Sequence, residues 1–168
     1  MRAASPVLAA GLVLAGTAQA AELRVSVELP RLTVAEYHRP YLAAWIETPD
    51  QAPLSTVAVW YDTKLREERG QGWLRDLRTW WRRSGREMRL PAEGISGPTR
   101  APGRHEITAG NAALRDLAPG EYRLAVEVAR ESGGRELVRV PFQWPPRDQA
   151  SSASGSSELG VVAVSARR

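Results

Sequence analysis

The chain contains no cysteine. That excludes disulfides, thiolate metal sites, cysteine nucleophiles and c-type haem attachment, and it leaves no thiol for a lipid anchor. Histidine is scarce. His38 and His105 are the only two, and standing 67 positions apart they form no recognisable metal-ligand motif. Serine and threonine are plentiful, but no Gly-x-Ser-x-Gly elbow accompanies them. The sequence therefore reads as non-enzymatic and without a metal site. Lysine is nearly absent as well: Lys64 is the single one among 23 basic residues. Those 23 face 19 acidic residues, a net charge of +4. Such a mixed surface calls for no nucleic acid as partner. No apolar run is long enough to span a bilayer as a helix.

What is present begins with an export signal. Arg2 supplies a positive start, Pro6 to Gly16 is an apolar stretch of small residues, Val and Leu, and Ala18-Gln19-Ala20 fits the small-x-small pattern of signal peptidase. The expected cut lies before Ala21, so residues 1–20 form a leader and the mature chain works in the periplasm. About 148 residues remain, 21–168, a length suited to one domain with one core.

The mature part reads as mainly β. Leu23, Val25, Val27 and Leu29 alternate with polar residues, the period of a half-buried strand. Tyr41 to Glu47 is apolar throughout and suits a strand buried on both faces. In Ser55–Tyr61, alternation puts Val57, Val59 and Tyr61 on one face. Tyr122, Leu124, Val126 and Val128 alternate with Arg123, Ala125, Glu127 and Ala129, after a Pro119-Gly120 turn. Ser132-Gly133-Gly134 marks a hairpin to Glu136–Phe142. Leu90–Arg104 and 145–157 are rich in Gly, Pro or Ser and read as loops, the second a mobile one before a last strand at Leu159–Val164. His105–Thr108 reads as one more short strand, and the seven strands with one short amphipathic helix over Gly70–Arg83 predict an immunoglobulin- or fibronectin-like β-sandwich. Tyr122 stands where the phenol of such a module fastens a corner to backbone.

The helical stretch is the first candidate site. Trp73, Trp80 and Trp81 lie beside Arg82 and Arg83, and from Lys64 to Arg89 nine basic residues face four acidic ones. One reading makes the indoles core and the arginines a solvated face. A second docks the segment on an acidic membrane surface or a membrane partner. A third uses an exposed indole and guanidinium groups to hold an aromatic, phosphorylated ligand. The second candidate is Glu93-Gly-Ile-Ser96-Gly97-Pro98-Thr99-Arg100, whose composition by itself reads as a turn-rich loop.

Several long strings resemble one known family. They are Glu36-Tyr-His-Arg-Pro-Tyr-Leu-Ala-Ala-Trp-Ile-Glu47, Trp73-Leu-Arg-Asp-Leu-Arg-x-Trp-Trp81, Ser96-Gly-Pro-Thr-Arg-Ala-Pro-Gly103 and Glu127-x-x-Arg-Glu-x-Gly-Gly-Arg-Glu136. On these the mature chain resembles the predicted periplasmic proteins catalogued as domain of unknown function 2271. The resemblance implies companionship with PepSY-type membrane proteins and flavin-transferase systems, in redox or iron-linked work. The segment Glu93–Thr99 is also similar to the Asp-x-x-Ser/Thr-Gly-Ala-Ser/Thr motif of exported proteins that carry covalent FMN. It departs at Glu93 and at Pro98. That similarity implies a phosphoester on Thr99, with Ser96, Gly97, Glu93 and Arg100 as the surrounding loop. The expectation is a non-catalytic module serving a PepSY-type membrane partner. The alternative is a flavinylated electron carrier.

Overall fold

The computed structural model describes residues 22–66, 69–147 and 150–167. The expected leader, 1–20, lies outside them. Alternation in the first segment builds strand β1 (Glu22–Leu29), whose Leu23, Val25, Val27 and Leu29 are all buried. It is followed by β2 (Tyr41–Glu47), β3 (Pro53–Tyr61), β4 (Ser96–Pro98), β5 (Gly103–Ala109), β6 (Gly120–Ala129), β7 (Arg135–Trp144), β8 (Ala150–Ser154) and β9 (Val161–Arg167). The strands form a four-stranded sheet in the order β5-β1-β9-β8 and a five-stranded sheet in the order β4-β3-β2-β6-β7. Strand accounts for 46% and helix for 16%, so the chain is mainly β with two sheets. Pro98 and Pro141 both sit on edge strands, where a missing amide costs no ladder bond.

The two sheets enclose one core. Leu42, Ala44 and Ile46 of β2 and Leu124, Val126 and Val128 of β6 point into it, against Val25, Val27, Val162 and Val164 of the other sheet. The outer face of the five-stranded sheet is covered too. Ala43, Trp45, Val59, Tyr61, Ala125 and Ala129 pack there against Leu74, Leu77 and Trp80. This second core explains why β2 is apolar at nearly every position: it is buried on both faces, as expected. Tyr122 fastens its corner, its hydroxyl donating to the Ala118 carbonyl at 2.7 Å.

Four local expectations are corrected. Val57 does not share a face with Val59 and Tyr61. Ala44 pairs with Ala58 and Trp45 with Thr56, so Val57 is the extra residue of a β-bulge and joins Ala58 and Trp60 in the inter-sheet core. The single helix over Gly70–Arg83 is broken. Helix α1 (Arg69–Gly72) runs into a 3-10 turn at Trp73–Asp76, and helix α2 (Arg78–Arg83) starts only after Leu77, whose ψ of 69° is not helical. The sheet selects Leu74, Leu77 and Trp80, a spacing of three that suits 3-10 geometry rather than a 3.6-residue stripe. Two stretches read as loops hold strands. Ser96–Pro98 pairs in parallel with Val59–Tyr61, and Ala150–Ser154 pairs with β9. Serine and alanine carry little strand signal, and a partner strand supplies the order they lack. A further four-residue helix, α3 (Asn111–Leu114), precedes β6.

Candidate functional site

The register of the five-stranded sheet brings four chain segments to one end. Tyr41 opposes Ala129, Leu42 opposes Trp60, and Tyr61 opposes Pro98. The connections leaving those residues therefore meet, and they wall an open groove of about 940 Å³. That size lies at the upper end for small-molecule pockets.

The walls combine rings with charge. Tyr37, Tyr41 and Trp73 are the aromatic members. Both phenols are neutral near neutral pH, as any tyrosine is, and burial raises the pKa of Tyr37 and of Tyr41 further. Arg39, Lys64 and Arg100 bring positive charge, while Asp62 and Glu131 bring negative charge. Part of the negative charge is committed within the fold. Asp62 accepts the Lys64 amide at 3.0 Å, and Glu131 stands 3.6 Å from His38, which also faces Glu36 at 3.1 Å. Arg100 is placed by packing: its guanidinium carbon lies 5.4 Å from the centre of the Trp60 ring. His105 meets the same ring edge-on at 5.8 Å, and its Nε2 lies 2.7 Å from the Ala101 carbonyl.

The candidates read from sequence divide here. Thr99 is half-buried, lines the groove beside Arg100, and is pinned by its amide to the Tyr61 carbonyl at 3.3 Å. Gly97 lies on β4 against Trp60. The Ser96 hydroxyl is engaged, accepting the Ala92 amide at 2.9 Å. Glu93 lines a different cavity of about 410 Å³, together with Leu54, Met88 and Ile95. The motif's acid and its last hydroxyl thus open onto separate spaces.

The three indoles also part company. Trp73 is 44% exposed at the groove, whereas Trp80 is fully buried. Trp81 is half-buried beside it, ring centres 6.3 Å apart. Trp80 as a partner-binding residue is corrected: its indole nitrogen donates to the Thr56 hydroxyl at 3.1 Å inside the second core. Arg83 is also tied inward, forming an ion pair with Glu47 at 3.7 Å and donating to the Gln51 carbonyl. Arg82 is exposed and donates to the Arg78 carbonyl at 3.1 Å.

Residues not singled out from sequence complete the groove: Tyr37, Arg39, Tyr41, Asp62 and Leu65. The signal for them was positional. Each lies just outside or at the end of a strand, and strands that pair in register bring such flanks together. Among the described residues no three His, Asp or Glu side chains gather as a metal set. No helix among them is long and apolar enough to cross a membrane.

The architecture and groove define a two-sheet β protein with a helical cover and a cleft at one sheet end. The family model described as "predicted periplasmic protein (DUF2271)" matches residues 22–161, and the chain belongs to that family. No curated protein and no solved structure matches it.

Proposed function

We propose that the protein is a non-catalytic periplasmic module that docks on a PepSY-type membrane protein in a redox or iron-linked system. The leader read in residues 1–20, cut before Ala21, delivers it through the general export route. The supporting observation is the groove rim. Leu65 and Trp73 are 39% and 44% exposed and both line the groove, with Lys64 beside them. Interface hot spots are enriched in Trp, Tyr and Arg, and Trp73 shares the groove with Tyr37, Arg39 and Arg100. The test is a pull-down from membranes with the mature wild type, Trp73→Ala and Leu65→Ser. Loss of the membrane partner in both variants is expected; full recovery with both would remove the rim as the docking surface. We also read the two sheets as an immunoglobulin-like sandwich, supported by the Tyr122 corner.

A second reading is favoured by the position of Thr99. A half-buried threonine in a groove with Tyr37, Tyr41, Trp73 and Arg100 suits a phosphoester-linked FMN: rings for the isoalloxazine, cations for the phosphate. The flavin would supply electron-transfer chemistry that this chain's own side chains lack. Glu93, facing the other cavity, takes no part in that arrangement. Coexpression with a flavin transferase followed by intact mass measurement decides the matter. An adduct mass that disappears in Thr99→Ala is expected, and an unshifted wild-type mass would sink this reading.

A further inference from the structure

We propose that the groove is a non-covalent binding site for a small planar aromatic anion, a ring bearing a phosphate or a carboxylate. This goes beyond both readings above, since it requires neither a membrane partner nor modification of Thr99. Three observations carry it.

The first is the grouping of rings. Tyr37 and Tyr41 reach the groove from the stretch that enters β2 and Trp73 from the 3-10 turn, and Trp73 is left 44% exposed. An indole that the core did not absorb, next to two half-buried phenols, is a surface on which a flat ring can lie.

The second is charge. Arg39, Lys64 and Arg100 outnumber Asp62 and Glu131. Asp62 already accepts the Lys64 amide, and Glu131 faces His38. Neither contact cancels a carboxylate, and counted as full charges the three cations exceed the two carboxylates by one. Arg100 is held over Trp60 at 5.4 Å, so its guanidinium is placed before a ligand arrives. A pre-placed guanidinium matches the paired oxygens of phosphate and carboxylate.

The third is the phenols. Tyr37 and Tyr41 line the groove half-buried; a phenol is neutral near neutral pH, and a neutral phenol can donate a hydrogen bond to an anion rather than repel it.

The experiment uses the mature protein in the Thr99→Ala background, which cannot be flavinylated at that residue. Its binding outcome is thus independent of the flavin reading. Calorimetric titration compares 1-naphthyl phosphate, 1-naphthoate, 1-naphthol and inorganic phosphate. One of the two naphthyl anions is expected to bind at least about tenfold more tightly than either naphthol or phosphate alone, because ring and charge act together. Which anion wins assigns the acidic group. Arg100→Gln is expected to erase the advantage of the anion over naphthol, and Trp73→Ala to weaken every naphthyl compound. Both side chains are exposed, so neither change should disturb folding. Absence of binding by both anions, equal binding of naphthol, or an affinity untouched by both substitutions would overturn the proposal.

Discussion

Oε2 of Glu127 accepts the backbone amide of Trp80 at 2.8 Å, and the same carboxylate accepts the Thr79 amide at 3.0 Å. A strand side chain thereby caps a helix that has no side-chain cap of its own. Glu127 is fully buried, and Arg135 pairs with it from the neighbouring strand. Glu127→Ala leaves two amides without partners and a guanidinium without its carboxylate. A loss of about 3–5 kcal/mol is expected in urea unfolding. Arg135→Ala leaves that buried carboxylate with amide partners but no counter-charge, so a loss of about 2–4 kcal/mol is expected there as well. A loss under about 1 kcal/mol for Arg135→Ala would show that the two amides alone hold the carboxylate.

The tryptophans are expected to respond in opposite ways. Trp80→Ala removes a fully buried indole from the second core and should cost about 3–5 kcal/mol. Trp73→Ala, at an exposed position, should stay within about 0.5 kcal/mol of wild type. Iodide quenching offers an independent check. The quenchable part of the emission should fall most when Trp73 is replaced, the half-buried Trp81 and Trp144 keeping a remainder, and should persist when Trp80 is replaced.

These contrasts mark where the sequence was legible. β1 was readable because a single face carries its apolar residues, and β6 because its large apolar residues alternate, although the other face, with Ala125, Glu127 and Ala129, is buried as well. The two-sided burial of β2 was readable from its unbroken apolar run. The phase of β3 was not, because a bulge depends on the partner strand and leaves no mark in Ser55–Tyr61 itself. Nor was the choice among the three indoles. A 3.6-residue stripe groups Trp73 with Leu77 and Trp80, but the sheet face accepts Leu74, Leu77 and Trp80. The groove was legible only in fragments. Thr99, Arg100 and Trp73 stood out one at a time, and only strand register reveals that they share walls with Tyr37 and Tyr41.

Gly155 makes a sharp local test of the turn between β8 and β9. A Cβ added there would collide with the Leu159 carbonyl oxygen and lie 2.7 Å from Oε2 of Glu136. Backbone cannot yield as a flexible side chain can, so the turn must shift. Gly155→Ala should therefore cost about 1–3 kcal/mol, despite the stabilising loss of unfolded-state entropy that alanine brings. An unchanged or raised melting temperature would show that the turn is looser than its contacts indicate.

The same turn sets a dependence on pH. Burial alone would raise the pKa of Glu136, but the amides of Ser156, Leu159 and Ser157 and the Ser156 hydroxyl outweigh it and hold the value at about 2, below the ordinary 4.5. The Glu158 amide adds a further donor at 2.8 Å. A carboxyl whose pKa is lower in the folded state binds fewer protons there than in the unfolded chain. Its stabilisation is complete above about pH 4.5 and fades as pH falls towards 2. Glu136→Gln keeps the size and removes the charge. The variant should be less stable than wild type by about 1–2 kcal/mol at pH 6, a figure reduced for the partial exposure of the site. Between pH 4.5 and pH 2 the two unfolding free energies should converge, because wild type loses the charge that the variant never had. Amide exchange at Ser157 and Leu159 should quicken in the variant at neutral pH, since these amides lose a charged acceptor. A stability gap that stays constant across this acid range would mean that Glu136 acts through its shape, not through its ionised carboxylate.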